Sequence, residues 1–248
     1  ALCTGGSNDE AWADVTQAGL AREVGTASTK DKEVSSSSLT QQRQTRLSKA
    51  LTFVLRHGAA SQHLELDSEG YANVIDVLDT PAISLLHATK EEIEIVTQRD
   101  AKQRFELLQV SGLAFIRALQ GHSMPGLDDT AMHRKLEPND SQLPSHCIHC
   151  SYHKHLRSIQ RRGLLAGGLP GHRNHVHFLP REPGDRSIIS GTRDDCEIAI
   201  YVDLPRALSD GIPLYLSRNQ VLLSPGVNGG IPSTYILKIV DLHTGRSL

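Results

Sequence analysis

The chain has 248 residues, 38% of them hydrophobic, and a formal net charge of −2 at pH 7. That is enough apolar material for one large domain or two small ones, and the balanced charge means that an anionic ligand must be met by locally clustered arginines. There is no apolar run of about 18 residues, no basic-then-apolar leader, and only Cys3, Cys147, Cys150 and Cys196 as thiols, so no membrane span and an intracellular address, cytoplasmic or nuclear, are expected.

Residues 1–45 are rich in Ser, Thr, Gln, Gly and Ala and hold the run Ser35-Ser36-Ser37-Ser38, which predicts a disordered arm. Leu47, Leu51, Val54 and Leu55 then fall on one face of a helix, with Gly58 as its C-cap. A turn at 66–71 leads to a short helix around Val74–Leu78, and Glu91–Gln98 reads as another. Arg104–Leu107 and Leu113–Arg117, split by Ser111-Gly112, predict a hairpin. Helices followed by a hairpin suggest a winged-helix-like unit over 46–123. Residues 124–145 hold three prolines and no apolar period, which suits a linker. From 146 to 248 the pattern gives a helix at Lys154–Arg161 ended by Gly163, and strands at His175–Leu179, Glu197–Val202, Val221–Leu223 and Tyr235–Val240. The fold class is therefore α+β, with a helical first half and a compact, β-rich second half.

Neither a P-loop nor a dinucleotide-binding glycine fingerprint is present. Nine of the 13 histidines lie between His122 and His177. Four segments place Arg or His at element boundaries: Leu55-Arg56-His57-Gly58, Ile116-Arg117 through His122-Ser123, His149-Cys150-Ser151, and His172-Arg173 through His177. Any one of them alone is better explained as a helix-end or solvated residue.

Their joint order resembles the Tpt1/KptA family of RNA 2′-phosphotransferases from about Leu47 to Asp241. The resemblance rests on Leu47-Ser48 through Leu55-Arg56-His57, Ile116 to Ser123, Arg173 to His177, Asp210-Gly211-Ile212-Pro213, and Ser217 through Leu223. It implies a winged-helix lobe and an ADP-ribosyltransferase-like lobe with substrates in the cleft between them. The implied reaction attacks C1″ of NAD+ with the 2′-phosphate of RNA, expels nicotinamide, and then closes ADP-ribose 1″,2″-cyclic phosphate to release 2′-OH RNA. NAD+ is consumed and no metal is required. The implied catalytic set is Arg56, His57, Arg117 and Arg173. Arg56, His57, Arg117, His122 and Ser123 would meet the RNA phosphate, while His149, Cys150, Ser151, His175, His177, Ser217 and Asn219 would hold NAD+. Arginine suits this work because its planar, permanently charged fork binds phosphate in two places. His149-Cys150-Ser151 lies where the family has His-Gly-Thr, so Cys150 adds a side chain at a close approach. A monomer acting on RNA with an internal 2′-phosphate, a spliced tRNA by the resemblance, completes the reading.

Three rivals remain open in the sequence. Cys147-Ile148-His149-Cys150 is a C-x-x-C that resembles half a zinc site, although no second pair is patterned. A binding module with a dead site has no chemical reason to keep all four catalytic residues. An ADP-ribosyltransferase acting on terminal phosphates or protein would share the first chemical step.

Overall fold

A computed structural model describes residues 39–141, 143–168, 172–185, 187–190 and 195–248; the expected arm lies outside them up to residue 38. Thr40 accepts a hydrogen bond from Arg43 N and opens α1 (Gln41–Phe53), because a hydroxyl there satisfies a first-turn N–H that has no partner within the helix. Residues 41–45, expected as arm, are thus helical. Leu47, Leu51, Val54 and Leu55 are buried as their period requires. Gly58 does not cap the helix. The backbone instead widens into a π-helical turn, Val54–Gly58, and the Phe53 ring covers Gly58 so closely that a Cβ there would stand 2.6 Å from Cζ. This wider turn buries Arg56 and leaves His57 exposed.

Short helices α2 (Val74–Asp79), α3 (Pro81–Ser84) and α4 (Lys90–Gln98) pack beside α1. α2 is capped by Asn73 and α4 by a Thr89–Glu92 capping box. Strands β1 (Ala72–Asn73), β2 (Phe105–Val110) and β3 (Leu113–Ala118) form a sheet in the order β1-β3-β2. β2 and β3 pair from Phe105↔Ala118 to Val110↔Leu113, and both turn residues, Ser111 and Gly112, have positive φ, as a tight two-residue hairpin requires. Leu47, Leu51, Ile83, Ile93 and Ile116 lie in one apolar cluster with these elements.

The expected linker is partly built into the second half. Asp128 caps α5 (Asp129–Met132), and β4 (Arg134–Lys135) pairs with β9 (Tyr215–Leu216), with Met132 and Leu136 buried. β5 (Cys147–Ser151), β8 (Ile198–Val202) and β12 (Ile236–Asp241) form one antiparallel sheet in the order β12-β8-β5. β4, β9, β10 (Leu222–Ser224) and β7 (Val176–Phe178) form another, in the order β4-β9-β10-β7. An Ile148↔Leu179 bridge, with backbone bonds of 3.0 and 2.8 Å, joins the two. β8 is buried at every residue. Its Ile198, Ile200 and Val202 enter the large second core, while Ala199 and Tyr201 face a smaller cluster on the other side. This explains the unbroken apolar run in its sequence.

The first core spans residues 47–118 and the second 136–239, with no shared member. Between them, Asn174 donates to the carbonyls of His122 through N and Met124 through Nδ2, each at 2.8 Å. Asn219 Nδ2 donates to Gln103 O at 3.1 Å, and Arg218 pairs with Glu106. Among the described residues no helix is long and apolar enough to cross a membrane.

After α6 (Leu156–Arg162), Gly163 turns the chain with φ 78°, and a Cβ there would stand 2.0 Å from Ile231 O, on β11 (Gly230–Ile231). β11 pairs with β6 (Leu164–Leu165), so backbone would have to move. Gly163→Ala is expected to cost about 3 kcal/mol or more, a fall of roughly 6–12 °C in melting temperature. An unchanged melting curve would contradict this packing.

Candidate active site

A cleft of about 590 Å³ takes its walls from both halves of the chain. Arg56, Lys102, Arg104 and Gln120 come from the first; β5, α6 and the segment Arg173–His177 come from the second. Four cationic side chains line it, and no Asp or Glu does so among the described residues.

Arg56 is 7% exposed, and its Nε and one terminal nitrogen have no hydrogen-bond partner among the described residues. A Cβ on Gly121, where φ is 89°, would stand 3.1 Å from Arg56 Nη1 and 3.4 Å from Arg173 Nη1. The two guanidinium groups therefore meet over a backbone that only glycine leaves open. Burial, and then the charges of Arg173 and Arg104, hold Arg56 down to about 10. Like charges gathered in low dielectric with vacant donors form a site for an anion. His57 follows Arg56, with Nδ1 2.9 Å from Ser123 Oγ, while Ser123 N donates to Arg56 O at 3.0 Å. Burial and the nearby Arg173 and Arg56 lower the His57 pKa, which favours the neutral ring.

On the opposite wall, His149, Cys150 and Ser151 of β5 all line the cleft. His149 Nδ1 lies 2.9 Å from His177 O and donates to it, so Nε2 is the unprotonated nitrogen of the neutral ring that burial favours. His177 Nδ1 lies 3.2 Å from His175 O, and its Nε2 lies 2.7 Å from the Gln120 amide. Burial and Arg173 favour the neutral His177 ring, which carries one proton: on Nε2 it donates to Gln120 Oε1 in the shorter of the two contacts, and Gln120 Nε2 in turn donates to Ser190 Oγ at 3.4 Å.

Several expected residues sit elsewhere. Arg117 does not line the cleft: it is 2% exposed, pairs with Glu106 at 2.8 Å and Glu69 at 3.4 Å, and stacks on Tyr71. Its charge is already met. His122 is also sealed, 2% exposed beside Arg56 and three further histidines, and burial pushes its pKa down to about 3, so it offers no cation to a phosphate. His175 lines the cleft but turns its ring to Asp129, 2.9 Å away. Ser217 and Asn219 are buried and bonded to each other at 2.8 Å; Asn219 also grips the carbonyls of Lys102 and Gln103. They brace the segment that carries Lys102 and Arg104. Arg104 is itself tied back by Asp100, which pairs with its side chain and accepts from its N at 2.6 Å.

Lys102, Arg104 and Gln120 belong to the cleft but were not singled out. Arg104 begins a strand pattern, where an arginine is ordinarily a solvated residue, and only the fold turns it inward. The zinc reading fails on geometry. Cys147 lies in the large core and Cys150 packs on the opposite cluster, because residues three apart on a strand face opposite sides. Among the described residues no three His, Cys, Asp or Glu are grouped to hold a metal ion.

His122, held to about 3 by burial and Arg56, and His133, held to about 4 by burial and His175, stay neutral in the fold, whereas the unfolded chain protonates them near 6.5. The unfolded state therefore binds more protons below pH 6.5, and stability falls as pH drops from there toward 4. Each contributes up to about 1.4 kcal/mol per pH unit. His122→Asn should flatten the fall in melting temperature over this window, and an equal slope in both proteins would overturn the assignment.

A model of the RNA 2′-phosphotransferase, Tpt1/KptA family matches residues 42–226. The chain is 39% identical over 213 residues to tRNA 2′-phosphotransferase 1 of Homo sapiens, covering 83% of this chain and 79% of that one. It is 37% identical over 193 residues to the protein of the same name from Danio rerio, covering 77% and 82% respectively. To the tRNA 2′-phosphotransferase of Saccharomyces cerevisiae it is 30% identical over 209 residues, covering 80% and 84%. With matches of this length running through both walls of the cleft, the chain belongs to the Tpt1/KptA family of RNA 2′-phosphotransferases and is an enzyme of that class.

Proposed function

We propose that this enzyme removes the 2′-phosphate of an RNA, a tRNA in keeping with its relatives' names, and passes it to NAD+, which it consumes. The observation that carries the reading is Arg56: a buried guanidinium with vacant donors, facing Arg173 in a cleft that no carboxylate lines among the described residues. Such a cleft fits a polyanion, and NAD+ and a 2′-phosphorylated RNA are both polyanionic.

Arg56 and Arg173 bind and orient the 2′-phosphate and stabilise charge on it as bonds change, the work of preorganised donors in phosphoryl transfer. NAD+, when bound, supplies an electrophilic ribose carbon with nicotinamide as leaving group. His149, Cys150 and Ser151 on β5, together with His177, would hold it, and Lys102 and Arg104 would meet its pyrophosphate. His57, favoured neutral and anchored through Nδ1 to Ser123, is equipped to take a proton from an attacking hydroxyl. Arg117 acts as a positioning residue: its pairs with Glu106 and Glu69 fix β3, which leads directly into Gln120 and Gly121. Ser217 and Asn219 position Lys102 and Arg104 in the same indirect way.

The two separate apolar cores support a winged-helix-like lobe over 46–123 and an ADP-ribosyltransferase-like lobe over 146–248, with 124–145 between them. A monomer is the proposed acting unit.

End-labelled 2′-phosphorylated RNA incubated with NAD+, with and without a chelator, and resolved on a denaturing gel tests this. Product with a 2′-OH is expected in both conditions. Arg56→Ala and Arg173→Ala should slow its formation by about 10²- to 10³-fold without lowering the melting temperature. Arg117→Ala should lose activity and melting temperature together, since it removes a buried guanidinium that ties Glu69 and Glu106 together and stacks on Tyr71. Undiminished turnover in both cleft variants would refute the arginine roles. Wild-type reaction halting at ADP-ribosylated RNA would identify a plain ADP-ribosyltransferase.

A further inference from the structure

Cys150, the thiol standing where the resembled family has glycine, does not face the cleft alone. Cys196 lines the same wall and is in hydrogen-bond contact with it. The contact is built in by the residues on either side of Cys196. Tyr152 Oη donates to Asp195 Oδ1 at 2.9 Å, His153 N donates to Glu197 Oε2 at 2.7 Å, and Glu197 N donates to Ser151 O at 2.9 Å. These three bonds pin segment 195–197 against the end of β5, one step beyond the Ser151↔Ile198 and Cys150↔Ala199 pairs. Cys150 and Cys196 are both free and part-exposed, unlike the fully buried Cys147 on the other face.

We propose that Cys150 and Cys196 are a redox-sensitive dithiol, which hydrogen peroxide closes to a disulfide that shuts the cleft to its nucleotide ligand. Burial and the neighbouring Cys196 push the Cys150 thiol up to about 12, so little of it is thiolate near neutral pH, and closure is expected to speed up as the pH rises. Cys196 sulfur takes one oxygen of the peroxide to become a sulfenic acid, and the O–O bond breaks with release of water. Cys150 sulfur then attacks that sulfur: the S–S bond forms, the S–O bond breaks, and the departing hydroxide leaves as a second water with the Cys150 proton. The two thiols lose two electrons and two protons, and the peroxide gains them. Bringing the sulfurs to about 2.05 Å tightens segment 195–197 against the end of β5 and narrows the part of the cleft that Cys150 and Cys196 themselves line.

The test uses the full chain, treated with hydrogen peroxide, alkylated, and mapped by peptide mass spectrometry. NAD+ binding to the reduced and oxidised protein is measured by calorimetry in parallel. A linked Cys150–Cys196 peptide pair lighter by two hydrogens is expected, with at least a tenfold loss of NAD+ affinity that dithiothreitol reverses. Cys196→Ser and Cys150→Gly, each compared with itself before and after peroxide, should show neither change. Absence of the linked peptide overturns the proposal, and a linked protein that binds NAD+ as before overturns the gating. If the reduced protein failed to bind NAD+, the proposed function would fall, while the peptide map would still decide whether the dithiol exists.

Discussion

A positive charge that the fold leaves uncompensated organises this molecule. Arg56 is buried at the end of the first helix, in a π-helical turn, with vacant donors and another guanidinium beside it. Burying an unpaired charge costs several kcal/mol, so a structure retains one only where something else holds it in place. Arg117 is the converse case within the same lobe: deeper, yet paired with two carboxylates and stacked on a tyrosine. Among the described residues two arginines are thus buried, one satisfied by its own fold and one with donors left vacant.

The rest of the structure keeps Arg56 and Arg173 together. Asn174, next to Arg173, bonds to the backbone of His122 and Met124, so the two halves are fastened beside the point where the guanidinium groups meet. Gly121 keeps that point open. On the far wall, β8 is buried on both faces and serves as the rigid backing for β5, from which the cleft-facing His149 and Ser151 project. A site built on a central strand and a braced turn is preorganised, and most electrostatic stabilisation of a transition state comes from such preorganisation.

Much of this was legible in the sequence because the motifs coincide with element ends. Periodicity located the first helix, the hairpin, the helix before Gly163 and the main strands to within a few residues. What escaped was decided by tertiary contact. The π turn at Val54–Gly58 has no local signature, and the glycine there answers to the Phe53 ring rather than to a cap. The segment 124–145 looked like a linker because one turn of helix and a two-residue strand are too short to show a period. Arg117 and Arg56 sit in equally suggestive motifs, and only cross-strand register, which places Glu106 opposite Arg117, reveals that one of them is neutralised. Arg104 was missed for the opposite reason: its inward course depends on Asp100 and on the brace from Asn219.

The claim that Arg56 is held uncompensated for a phosphate is tested most directly by the melting temperatures of wild type and Arg56→Met. Both are measured alone and with a saturating 2′-phosphorylated oligoribonucleotide. Without ligand the variant should melt higher, since an apolar side chain of similar length replaces a buried charge. With ligand at about 100 times its dissociation constant the wild type gains about 2.7 kcal/mol, the variant gains far less, and the order reverses. A wild type that is already the more stable protein without ligand, or a ligand that stabilises both equally, would contradict the account.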